Sequence, residues 1–223
     1  MKAPIASLKK KEIVWLSTHH CKHGHDYLSH YSCYINDNPQ REKVGFIDIE
    51  SSNLDANFGI MLSYCIKDSQ SKKIYTGTIN KKDIEKYEAN KSDYRIVSEC
   101  VENMLKFDRV VAHYAMFDIP FIRTRALVCG VDFPTYGSIY VDDTWRWAKN
   151  KLKLNSNRLE MVVNTLFGNS EKTHLDSRYW IGGTRGDKKS LDYILSHNKI
   201  DVLELEKVYN KLVGFVRKKD TSI

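Results

Sequence analysis

The run Val44-Gly45-Phe46-Ile47-Asp48-Ile49-Glu50 restricts the possible folds of this chain more than any other segment. Its apolar, β-branched content predicts a strand, and residues two apart on a strand share a face, so Asp48 and Glu50 project side by side. Adjacent carboxylates on a strand rich in Phe and Ile repel each other and lose hydration. A divalent cation between them relieves both costs. The alternative is a half-exposed strand with two solvated acids, which the apolar neighbours Phe46, Ile47 and Ile49 fit poorly.

Around this strand the pattern alternates. Further strands are expected at residues 58–66 and 73–78, giving an antiparallel three-strand start to a sheet. Apolar residues at helical spacing over 96–107 predict a helix, followed by a short buried strand at 109–113. A helix is expected from Phe117 to Cys129, stopped by Gly130, then a strand at 138–141 and a helix at 144–151. Helices over 158–167 and 188–216, the second with a break near His197, complete an α/β chain with a mixed sheet flanked by helices.

Two more acids stand in informative places. Asp118 closes His113-Tyr114-Ala115-Met116-Phe117-Asp118, just after the buried strand, where its ordinary role is a helix cap. Asp201 follows His197 by four residues, so the two share one helix face, which is also the spacing of an ordinary surface pair.

In this order the three elements resemble the motifs of the DEDD exonucleases of the RNase H-like superfamily. The segment Asp143-Thr144-Trp145-Arg146-Trp147-Ala148, the pair Gly186-Asp187 and the run from Tyr193 to Val202 resemble especially the RNase H-like exonuclease branch of bacteria, archaea and phages. The resemblance spans residues 43 to 216. It implies an RNase H-like fold and 3′–5′ exonuclease activity on DNA or RNA with two Mg²⁺ or Mn²⁺ ions. Asp48 would bridge the ions, and Glu50, Asp118 and Asp201 would complete their shells. His197 would take the proton from water, although it stands at the three-residue spacing that the family's tyrosine branch uses; Tyr193, one turn earlier, is the reserve. A structure-specific endonuclease and a non-catalytic nucleic-acid-binding module are the competing readings.

The first 42 residues are polar and weakly periodic, and are expected to form a segment distinct from the domain at 43–223. Within them, Cys21, His25, His30 and Cys33 supply four soft donors for a structural zinc, with His23 as a rival to His25. A flexible His-rich arm and an unlinked redox pair are the alternatives. Cys65, Cys100 and Cys129 lie in apolar stretches and are expected to be reduced core residues. The stretch from Gly168 to Asp187 reads as a loop whose Lys172, His174, Arg178, Tyr179, Trp180 and Arg185 either hold a nucleic-acid strand or plug the core edge.

Charge and length add modest support. With 35 basic against 28 acidic residues the chain carries +7, which suits a polyanionic partner and equally suits plain solubility. No apolar run reaches bilayer length and residues 1–8 lack a signal-peptide pattern, so a cytoplasmic location without membrane contact is expected.

Overall fold

In the computed structural model, which describes residues 3, 5, 8–172, 176–217 and 223, the acidic strand is the middle of a five-stranded sheet. The strands are β1 (Val44–Ser51), β2 (Met61–Asp68), β3 (Ile74–Thr78), β4 (Arg109–Ala112) and β5 (Tyr140–Asp143), ordered β3-β2-β1-β4-β5. β1 pairs antiparallel with β2 and parallel with β4, so the sheet is mixed, as expected. Antiparallel β3 and parallel β5 complete its edges.

The helices are α1 (Lys10–Thr18), α2 (Tyr31–Asp37), α3 (Lys81–Lys86), α4 (Tyr94–Met104), α5 (Ala115–Cys129), α6 (Thr144–Lys151), α7 (Leu159–Phe167), α8 (Ser177–Thr184) and α9 (Lys188–Leu212). α4 buries Ile96, Val97, Cys100, Val101 and Met104, the stripe that helical spacing predicts. With α5 it covers one face of the sheet, where Ile47, Ile49, Tyr64 and Ile66 contribute to the main core. α9 covers the other face: Val202, Leu205 and Tyr209 meet Val44, Phe46, Cys65 and Val111.

That second face explains the position of the acids. Val44, Phe46, Asp48 and Glu50 all point toward α9, because side chains alternate along a strand. Phe46 packs edge-on against Tyr209, with ring centroids 5.4 Å apart. Farther along, Asp48 meets Asn198. One strand face is therefore apolar at its start and acidic at its end, and α9 matches it in reverse order.

Several boundaries differ from the sequence expectation. β2 starts at Met61, because residues 52–60 make a turn that leaves Phe58 exposed. α5 starts at Ala115 and β5 at Tyr140. α9 runs unbroken through His197, ending at Leu212.

The supposed loop from Gly168 contains α8, in which Tyr179 and Trp180 pack against the main core. Gly182-Gly183 reads as a flexible pair but serves close packing: a Cβ on Gly182 would lie 2.1 Å from Ser190 Oγ, and one on Gly183 2.9 Å from Ile194 Cδ1. His174 lies outside the described residues. The weakly periodic N-terminal segment forms α1 and α2 around a small core of Leu16, Tyr31, Tyr34 and Ile35. Cys65, Cys100 and Cys129 are buried free thiols. Among the described residues no helix is long and apolar enough to cross a membrane.

Candidate active site

The parallel pairing of β1 with β4 runs only from Val44↔Arg109 to Phe46↔Val111. Past that point the chain leaves β4 and enters α5, so the β1 backbone on that side needs another partner. Asp118, in the first turn of α5, supplies one: its Oδ1 accepts the Ile49 N–H at 3.2 Å. The sequence alternative for Asp118 was a cap on its own helix; instead it bonds the neighbouring strand.

From the other side, α9 brings Asp201 to the pair on β1. One carboxylate oxygen each from Asp48, Glu50 and Asp201 lie within 4.8 Å of one another. Asp118 falls outside that trio but stays close enough for its charge to act on Asp48 and Glu50, and for that of Asp201 to act on it. The four acids singled out in the sequence thus face one region, at the carboxyl ends of β1 and β4 and on α9.

Their electrostatics is that of crowded carboxylates partly withdrawn from water, Asp118 and Asp201 buried and Asp48 and Glu50 half-buried. Burial raises the Asp48 carboxyl well above the usual range, and the charges of Asp201, Asp118 and Glu50 raise it further. Burial, then Asp201, pushes Glu50 up to about 8. Asp118 rises to about 7, again chiefly through burial. Asp201 is raised by burial, partly offset by Lys172. Lys172 Nζ lies 2.7 Å from Asp201 Oδ2, while the buried Asp201 Oδ1 has no hydrogen-bond partner among the described residues.

Residues that the sequence reading did not select hold this arrangement. The Asn198 amide donates to Asp48 Oδ2 and its oxygen accepts from Ser63 Oγ at 3.3 Å, which fixes both the amide and Asp48. Glu204 is 1 % exposed and accepts from Ser170 Oγ at 2.8 Å and from Glu171 N–H at 2.7 Å. That clamp ties the segment carrying Lys172 to α9. Asn198 and Glu204 each lie three residues from Asp201, a helix-face relation visible in the sequence once Asp201 is chosen. Lys172 is 29 residues from Asp201, and only the fold connects it.

His197 is buried in α9 and meets Tyr193 edge-on with centroids 4.4 Å apart; Tyr193 in turn stacks on Tyr179 at 3.9 Å. Burial lowers the His197 pKa, which favours the neutral ring. His113 is fastened at both nitrogens, to Thr144 Oγ1 at 2.9 Å and to the Asn157 carbonyl at 2.8 Å, and so serves to join β4 to α6. Asp143 caps α6, its Oδ1 accepting from Trp145 N–H at 3.0 Å and also from Tyr114 N–H at 3.1 Å. Tyr114 adopts a left-handed conformation, φ 77°, at the entry to α5.

In the N-terminal segment the structure gathers Cys21, His23, His30 and Cys33 within 4.8 Å. His25, favoured over His23 on spacing, is outside this group, and its ring lies against His30 at a centroid distance of 4.3 Å. The reason is the turn at Gly24, φ 82°, which brings the His23 ring to the Cys21 and Cys33 sulfurs and leaves the His25 carbonyl to accept from Cys21 N–H at 2.9 Å.

Comparison with known proteins agrees with this fold. The RNase_H_2 family, described as RNase_H superfamily, matches residues 45–213. Among solved structures, the family B DNA polymerase from the hyperthermophilic archaeon Pyrobaculum calidifontis is similar, with a TM-score of 0.63 and 17% identity. The match covers 78% of this chain and 25% of the polymerase, and at that identity it speaks for the fold alone. No curated protein matches the chain in sequence.

Proposed function

Because the chain belongs to the RNase H superfamily over residues 45–213, we propose that it hydrolyses phosphodiester bonds of nucleic acid, as a DEDD-type 3′–5′ exonuclease dependent on Mg²⁺ or Mn²⁺. The catalytic unit in this reading is residues 43–223. One observation carries it: oxygens of Asp48, Glu50 and Asp201 converge within 4.8 Å while the buried Asp201 Oδ1 lacks a hydrogen-bond partner among the described residues. Carboxylates held together against their own repulsion suit a hard divalent cation, and an all-oxygen donor set favours Mg²⁺ or Mn²⁺ over softer ions. Asp48, Glu50 and Asp201 would hold the ions, with Asp118 beside them. Two such ions supply an activated water and neutralise charge on the leaving oxygen.

The chain's own residues do the rest. Asn198 keeps Asp48 in one orientation. Lys172 offsets the acids' charge and offers an ammonium to a phosphate entering the site. His197, held neutral by burial, acts as the proton acceptor. The net charge of +7 favours approach of a polyanion.

The test is a Mg²⁺/Mn²⁺ degradation assay on 5′-labelled linear DNA and RNA beside circular single strands. Stepwise shortening of linear strands with circles left intact is expected. Cleavage of circles would turn the reading to an endonuclease, and no metal-dependent degradation of any strand would end it.

A further inference from the structure

A second set of ion-binding side chains lies outside the carboxylate centre, with donors of the opposite chemical character. Cys21 and His23 flank the tight turn that Gly24 closes, with Gly24 N–H bonded to the Cys21 carbonyl at 2.9 Å. His30 is the residue just before α2 and Cys33 lies in its first turn, three residues on, so the two share a helix face. The turn and the helix thus present one thiol and one imidazole each.

The distances among these four are specific. Nδ1 of His23 lies 3.7 Å from Cys21 Sγ and 3.5 Å from Cys33 Sγ. Nδ1 of His30 lies 3.6 Å from Cys21 Sγ and 3.4 Å from Cys33 Sγ. In a tetrahedral site with Zn–S of about 2.3 Å and Zn–N of about 2.0–2.1 Å, sulfur-to-nitrogen edges are about 3.5 Å. All four observed edges fall close to that value, and both rings present the same nitrogen to both sulfurs.

We propose that Cys21, His23, His30 and Cys33 bind one structural Zn²⁺. Four protein ligands fill the tetrahedron and leave no open position for substrate or water, which separates this ion from the catalytic ones. Its role follows from size. The core of this segment is Leu16, Tyr31, Tyr34 and Ile35, too small a cluster to hold a polar stretch of some thirty residues without a staple. The ion locks the turn at Gly24 onto α2 and so completes that core. His25 lies against the His30 ring and supports it as a positioning residue, without ligating. The inference is independent of the nuclease reading, because none of its ligands belongs to the carboxylate centre.

The experiment is metal analysis of the full-length, untagged protein by mass spectrometry, together with Co²⁺ exchange followed by visible absorption. About one zinc per chain is expected, with intense tetrahedral d–d bands and thiolate charge-transfer bands on exchange. His23→Ala and Cys33→Ser should lower zinc content by about tenfold or more, whereas His25→Ala should retain about one equivalent. Less than about a tenth of an equivalent in the parent, even after incubation with Zn²⁺, would overturn the site. So would octahedral cobalt spectra. Loss of zinc in His25→Ala with retention in His23→Ala would overturn the ligand set. The parent's stoichiometry and cobalt spectrum keep the test decisive even if a ligand variant fails to fold.

Discussion

Asn198 and Lys172 act on the acids from opposite directions, one by a hydrogen bond and one by charge. Asn198→Ala removes the donor to Asp48 and leaves Ser63 Oγ without its acceptor. Loss of such a supporting contact is expected to lower kcat/KM by about 10–100-fold, read by steady-state kinetics, and to lower the melting temperature in calorimetry, because Asn198 and Ser63 are both fully buried. Lys172→Ala removes the ammonium beside Asp201 and should make Mn²⁺ raise the melting temperature more than in the parent, since more negative charge awaits the ion. An unchanged Mn²⁺ shift would show that Lys172 does not share the ions' position. The acids themselves fix a pH dependence. With Glu50 pushed up to about 8 and Asp118 to about 7, the ion-free fold holds protons that the unfolded chain has released from about pH 5 upward. The native state therefore binds more protons across that window, and stability falls as pH rises from about 5 to about 8. Calorimetry without added Mg²⁺ or Mn²⁺ should show this fall, and it should shrink in Glu50→Gln; an equal slope in parent and variant would remove Glu50 as its source.

Packing between helices is where element-level reading of the sequence ran short. Gly182-Gly183 lowers helix propensity, so α8 is hidden from a propensity argument, yet both glycines allow α8 to lie directly on α9. Only the partner helix reveals that purpose. Ser190 Oγ is itself bonded to Asp187 Oδ2 at 2.6 Å and cannot simply swing away from a new methyl group. Gly182→Ala is thus expected to cost about 1–3 kcal/mol, measured by urea denaturation. Long apolar stripes fared better: α4 was legible from Ile96, Val97, Cys100, Val101 and Met104, whose spacing has one helical solution. At the start of α4, Asp93 is joined to Arg125 of α5 by paired contacts of 2.7 and 2.8 Å, and also accepts from Met61 N–H at the start of β2. Both side chains are buried, so Arg125→Ala strands a charge and should destabilise the fold by about 3–5 kcal/mol in the same measurement. A loss below about 1 kcal/mol would mean that the pair does not join these elements.

Across the molecule, the packing of α9 on the sheet brings together acids separated by more than 150 residues in sequence. Asp48 and Glu50 were legible because strand alternation forces them onto one face. Asp118 and Asp201 each have an ordinary local explanation, and their order along the chain pointed to them. Glu204 was not legible, and Lys172 stood out only as one basic residue of its stretch, because their places beside Asp201 and on α9 rest on contacts with a distant segment. The choice between His23 and His25 turned on the conformation at Gly24, which spacing alone does not specify. The carboxylate centre remains the feature on which function turns. Its most direct test is Mn²⁺-dependent nucleotide release from end-labelled single strands by the parent and by Asp201→Asn, with calorimetry showing that the variant is folded. Removing this charge should cut the rate by about a thousandfold or more. Equal rates in the two proteins would contradict hydrolysis at this centre, as would a parent that releases nothing from DNA or RNA.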